Sequence, residues 1–127
     1  MPISAIRIGL VSIIAIVDGI GTPSTAQSRT EFSERGDSFA RSCGDATAAQ
    51  VRDVEQAIYC ILYSKGVFDG ALGGPVEACE PQGVRLGQKI DIGVQYIRSN
   101  PDKAHWPPSL LLLMGLRQAY PCPKAAK

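Results

Sequence analysis

Four cysteines constrain this chain more than any other feature. They stand at Cys43, Cys60, Cys79 and Cys122, and an even number of widely spaced cysteines in so short a chain reads as two disulfides in an oxidising compartment. The other uses of cysteine fit poorly. A zinc site wants close C-x-x-C pairs with histidine, whereas no two cysteines here are near neighbours and His105 is the only histidine. A reactive thiol wants a lowered pKa and a free partner, which an even count argues against.

The N-terminus supplies the compartment. Arg7 precedes an apolar run from Ile8 to Val17, Asp18 closes that run, and Ser24-Thr25-Ala26 sets small residues ahead of Gln27. That is the layout of a secretory signal over residues 1–26. The run is short against the roughly 20 apolar residues of a membrane span, so cleavage is expected rather than a retained anchor, with no stable membrane insertion afterwards. The mature chain would be residues 27–127, released to the periplasm.

Composition narrows the function. With 13 basic and 12 acidic side chains and a net charge of +1, the chain has neither the basic surplus that holds nucleic acid through its phosphates nor an acidic solvating tail. At 45% hydrophobic and 20% charged residues it is a small globular domain and not a disordered one. One His, one Trp and three Phe leave little for a metal cluster or an aromatic stacking platform. No metal, cofactor or nucleic acid is expected.

Periodicity predicts four helices and no strand, hence an all-α, disulfide-stapled domain. Phe32, Phe39 and Cys43 recur at helical spacing from Thr30, and Gly44 ends the segment. Asp45 or Thr47 can cap a second helix running to about Phe68, with Val51, Val54, Ile58, Ile61 and Leu62 as its apolar stripe. The glycine-rich stretch from Asp69 to Pro75 then opens a long loop to Pro81. A third helix, Leu86 to Ser99, buries Leu86, Ile90, Val94 and Ile97 and stops at Asn100-Pro101. Its Gly87 and Gly93 call for a close neighbour or a packing gain. A fourth begins at Pro107-Pro108-Ser109 and ends near Tyr120; its apolar Leu110–Met114 run marks it as central.

Helices three and four, similar in length and joined by a short link, should form an antiparallel hairpin. That brings Cys79, just before the third, to Cys122, just after the fourth. Of the three possible pairings, this favours Cys79–Cys122 and leaves Cys43–Cys60. On the chain-entropy view the long Cys79–Cys122 loop is worth roughly 4 kcal/mol.

Catalytic constellations are missing. His105 lies beside a helix start, where surface or capping roles prevail, and Asp69, Asp91 and Asp102 are isolated rather than paired for acid and base work. Gly70–Gly74 lacks the Lys-Ser/Thr of a phosphate loop. Tyr59, Tyr63, Tyr96 and Tyr120 read as core-edge residues. The chain is not expected to be an enzyme.

Three stretches, taken together, carry a resemblance. Cys60-Ile61-Leu62-Tyr63-Ser64-Lys65-Gly66-Val67-Phe68-Asp69, then Cys79-Glu80-Pro81-Gln82-Gly83-Val84 with Gln88, then Asn100-Pro101 through to Ala119-Tyr120-Pro121-Cys122 resemble the Rap/Tai-type immunity proteins of type VI secretion. Leu62 stands where that family usually has Gly. The resemblance implies an all-helical periplasmic protein, often a homodimer, that binds a peptidoglycan-cleaving amidase effector and blocks its groove without catalysis of its own. It implies scaffold roles for Tyr63, Gly66 (close helix approach), Asp69 (a local hydrogen bond), Pro81 (the turn into the third helix) and Pro121. A groove-filling inhibitor needs a protruding segment on a rigid base. The expected contact is therefore the Gly70–Gln82 loop, with Gly70, Leu72, Gly73, Gly74, Val76 and Glu77. The competing readings are an acid-stress periplasmic chaperone of the HdeA kind, opened by carboxylate protonation, and an envelope adaptor without a toxin partner.

Overall fold

Among the described residues four helices follow one another: α1 (Gly36–Cys43), α2 (Val54–Gly70), α3 (Leu86–Ser99) and α4 (Pro108–Ala119), with a 3-10 turn at Pro101–Lys103. They come from a computed structural model that describes residues 34–71, 74 and 76–124. No strand occurs among the described residues, in keeping with the all-α expectation. The signal segment 1–26 and Phe32 lie outside them.

The α3–α4 hairpin is the centre of the fold. Ile90, Val94 and Ile97 of α3 and Leu111, Leu112 and Leu116 of α4 are buried, along with Phe39 from α1 and Phe68 from α2. Close approach of the two helices depends on Gly93 and Gly115. A Cβ on Gly93 would fall on the Leu112 side chain and 3.2 Å from Leu112 Cα, and one on Gly115 would lie 2.7 Å from Tyr96 Cβ. Glycine at both contacts lets the backbones meet, and that packing offsets the helix propensity lost. Gly87, by contrast, meets only Thr47, at an ordinary 3.6 Å.

Local chemistry explains the ends of α3. The Gln88 side chain accepts the Arg85 backbone N–H at 2.9 Å, the back-reaching half of a capping box. Gly83 just ahead takes a φ of +89°, a conformation that favours glycine. At the other end Asn100 and Pro101 stop the helix.

The first two helices differ from their expected bounds. α1 begins at Gly36, where the Gly36 and Asp37 amides donate to the carbonyls of Trp106 (2.9 Å) and Ala104 (2.8 Å). The turn before α4 thus satisfies donors that no side chain caps. α2 begins at Val54, not after Asp45 or Thr47. Its cap is Asp53, whose carboxylate accepts the Gln56 N–H at 3.0 Å. Asp45 instead pairs with Arg52, and Thr47 donates to Asp91 on α3.

The face that α2 buries also requires a correction. Its buried residues are Ala57, Cys60, Ser64 and Phe68, whereas Val54, Ile58 and Leu62 of the expected stripe are exposed. Val51 and Ile61 are only partly buried against the core. The reason is the bond from Cys60 to Cys43, which joins Cα atoms 5.6 Å apart and turns that side of α2 towards α1. Buried Ser64 meets its polar need by donating to the Cys60 carbonyl at 2.8 Å. The second disulfide joins Cys79 to Cys122, with Cα atoms 4.8 Å apart, as the hairpin argument anticipates.

Candidate functional site

The expected loop hangs from the open end of the hairpin. At its base the Cys79–Cys122 disulfide is joined by the Cys79 N–H, which donates to the Tyr120 carbonyl at 2.9 Å. Lys89 of α3 adds a second anchor, pairing with Glu80 while its ammonium lies 5.8 Å from the Phe68 ring centroid. A hollow of about 620 Å³ adjoins these anchors, lined by Phe68, Val76, Ala78, Cys79, Lys89 and Leu113. Sequence reasoning missed Lys89. Its signal was a cation one position before the buried Ile90, on a helix flank that must pass the loop.

Of the expected contact residues, Gly70 ends α2 exposed, Gly74 donates its N–H to the Ala71 carbonyl at 2.9 Å, Val76 is half-buried and Glu77 is exposed. Leu72 and Gly73 lie outside the described residues. Glu77, Cys79, Glu80, Pro81 and Gln82 form a nearly continuous exposed edge, so the described part of the loop offers carboxylates on a tethered backbone.

The family-motif positions are spread through the fold. Tyr63 is half-buried, its ring tilted against Phe39 with centroids 5.8 Å apart. Burial pushes its hydroxyl pKa up, against hydrogen bonding with Ser109 that pulls it down. Asp69 accepts a hydrogen bond from Lys65 Nζ at 2.7 Å, one turn back on α2. Pro81 and Pro121 are exposed, one before the Gln82-Gly83 turn and the other next to Cys122. Gly66 is a correction: a Cβ there would meet nothing within 4 Å, because it stands on the exposed side of α2 and not at a helix contact.

That exposed side is the second candidate surface. Val54, Ile58, Tyr59 and Leu62 are 66%, 50%, 43% and 61% exposed, an apolar patch along one helix of a small protein. Tyr59 therefore differs from the core-edge expectation that Tyr63, Tyr96 and Tyr120, all half-buried, meet. Leu62 sits in the open, so a leucine at this position does not crowd the core.

The three aspartates that the sequence leaves isolated each have a local partner. Asp69 pairs with Lys65, Asp91 with Thr47 and Asp102 with Lys103. His105 is exposed, its ring edge-on to Trp106 at 6.3 Å. Among the described residues no three His, Cys, Asp or Glu side chains gather as a metal set, and no helix is long and apolar enough to cross a membrane.

A family model describing Rap1a immunity proteins matches residues 35–122. The chain belongs to the Rap1a immunity protein family. The match takes in the four described helices and both disulfides, from the residue before α1 to the last cysteine. No curated protein and no solved structure gives a significant match. Membership in a family of immunity proteins implies a protein partner, the effector against which the immunity is directed.

Proposed function

We propose that this member of the Rap1a immunity protein family is exported to the periplasm, binds a peptidoglycan-cleaving amidase effector of type VI secretion, and blocks its active-site groove with the 70–82 loop. Its own residues do no chemistry in this role; they hold a wedge. The observation that carries the reading is the anchoring of that loop's C-terminal limb, by the Cys79–Cys122 bond, the Cys79–Tyr120 hydrogen bond and the pairing of Lys89 with the adjacent Glu80. A segment tethered in this way loses little further entropy when it enters a groove, and the tethered segment here is the one next to Glu77. Residues 1–26 would direct export, and the two disulfides suit an oxidising compartment.

The test is protection of cells. The product of each neighbouring reading frame is sent to the periplasm with and without this protein, with a Cys79→Ser/Cys122→Ser variant and a Val76→Asp/Glu77→Arg variant alongside. Rescue by the wild type that falls in both variants is the expected result. A neighbour's toxicity left unrelieved, or no toxic neighbour, overturns the effector reading in favour of an adaptor or a chaperone. Full rescue by the loop variant keeps immunity and moves the contact elsewhere.

A further inference from the structure

The hollow beside the loop base has a make-up that a wedge alone does not use. Its walls are apolar: Phe68 from α2, Val76 from the loop, and Leu113 and Leu116 from α4. Phe68 and Leu116 are buried, Val76 and Leu113 half-buried. Three carboxylates, Asp69, Glu77 and Glu80, share the lining with a single cation, Lys89. Two of the three are matched within the chain, Asp69 by Lys65 at 2.7 Å and Glu80 by Lys89. Glu77 is exposed, and among the described residues nothing pairs with its carboxylate. Three carboxylates against two lysines leave one negative charge over, at the mouth of an apolar hollow.

We propose that this hollow is a socket for an arginine side chain of the partner protein, with the aliphatic stem along Phe68, Val76, Leu113 and Leu116 and the guanidinium on the Glu77 carboxylate. Charge decides among the possible occupants. A wholly apolar side chain would shield Glu77 from water and leave its carboxylate unpaired, which is costly. An acidic one would meet the surplus negative charge, and Lys89 is already engaged by Glu80 and by the Phe68 ring, whose centroid is 5.8 Å from its ammonium. A long cationic side chain meets both demands, since such residues lay their methylenes on apolar surface and keep the charged head at the water's edge. Arginine suits the place better than lysine: its guanidinium is the more weakly hydrated and can hold a carboxylate through two parallel hydrogen bonds. The wall that bears Glu77 is fixed two residues further on, where Cys79 is bonded to Cys122 and donates its N–H to the Tyr120 carbonyl at 2.9 Å. The carboxylate's backbone is therefore in place before the partner arrives. That the partner is the effector rests on the function proposed for the loop; the socket rests on the hollow's own residues.

The experiment is a titration of the purified protein with N-acetyl-arginine amide, followed by amide NMR at low ionic strength. The probe is taken to about 50 mM, because one side-chain contact carries only a fraction of an interface's affinity. Saturable shifts are expected at Val76, Ala78, Lys89 and Leu113. Glu77→Gln, an exposed and nearly isosteric change whose spectrum also reports that the fold is kept, should weaken binding about fivefold or more, since a charged hydrogen-bonded pair is lost. N-acetyl-lysine amide should bind about threefold more weakly than the arginine amide, having no planar fork, and the uncharged N-acetyl-norleucine amide should not saturate. Absence of saturable shifts at the hollow overturns the proposal, as does binding indifferent to Glu77→Gln, or lysine or norleucine amides that bind as well as the arginine one. The protection assay separates this proposal from the reading of the loop. A protein that relieves a neighbour's toxicity but does not bind the arginine amide sinks the socket alone. One that binds the amide through Glu77 but relieves no toxicity keeps the socket and sinks the effector as its partner.

Discussion

The two halves of the molecule use the same residues in opposite ways. In the α3–α4 hairpin two glycines mark where helices touch, Gly93 against Leu112 and Gly115 against Tyr96, and Leu111, Leu112 and Leu116 are buried. In α2 the glycines mark where nothing touches, and Leu62 with Ile58 faces outward. The hairpin is held by interdigitated apolar surface. The α1–α2 half has a smaller buried stripe and leans on the Cys43–Cys60 bond and on ion pairs, Arg35–Asp37–Arg41, Arg52–Asp45 and Lys65–Asp69. One half is packed as a core. The other is fastened to it, with an apolar face of α2 left exposed.

The sharpest break of this contrast is a pair of leucine truncations. Leu112→Ala should cost about 2–5 kcal/mol in urea unfolding, since it opens a cavity where Gly93 allows no other filling. Leu62→Ala should stay within about 0.5 kcal/mol, because water already covers most of that side chain. Comparable losses at the two positions would mean that α2 is covered in the folded monomer, which its exposure contradicts.

Glycines give the next contrast, with a change of sign. Gly93→Ala adds a methyl group where Leu112 already lies, and overpacking should destabilise by about 1–3 kcal/mol despite the gain in helix propensity. Gly66→Ala meets empty space and should stabilise by up to about 1 kcal/mol. Thermal melts of the two single variants suffice. A destabilising Gly66→Ala would show that this side of α2 is covered after all.

The same contrast explains what could be read from the chain beforehand. The hairpin was legible because Leu86 to Ser99 and Pro108 to Ala119 each have one consistent reading, with Asn100-Pro101 and Pro107-Pro108 as punctuation. The Cys79–Cys122 pairing then followed from antiparallel geometry. α2 was misread because it carries apolar residues on two faces, Ala57, Cys60 and Phe68 on one and Val54, Ile58 and Leu62 on the other. Counting hydrophobic residues favoured the bulkier stripe. The rotation is instead set by a covalent bond at Cys60, and a cysteine expected to be bridged was the available sign that its own face turns inward. The start of α2 was missed for a similar reason: Asp45, Thr47 and Asp53 are all competent caps, and the choice among them is made by contacts with Arg52 and Asp91 that lie outside any local pattern. Gly66 shows the limit of carrying over a family role, since the motif marks the position but not which side of the helix it occupies.

Acid should separate the halves by the smallest margin, and in a definite direction. The Arg35 hydrogen bond is the main cause that holds Asp37 down at about 2; partial desolvation opposes it, and the Ser38 amide and the charges of Arg35 and Arg41 assist. Asp45 is lowered too, chiefly by its hydrogen bond from Arg52. Both carboxylates belong to the α1–α2 half. A carboxylate whose folded pKa lies below its ordinary value of 3.8 stabilises the fold in full above that value, and the stabilisation drains away as pH falls from there towards about 2. With Asp37 close to solvent the loss should be less than about 1 kcal/mol. Hydrogen exchange read between pH 4 and pH 2, corrected for intrinsic rates, should therefore show α1 amides losing protection ahead of those in α4. Asp37→Asn should flatten the α1 response and leave α4 unchanged. If α4 loosened first, the hairpin and not the fastened half would be the acid-sensitive part of the molecule, and the division of labour between core and fastening would have to be reversed.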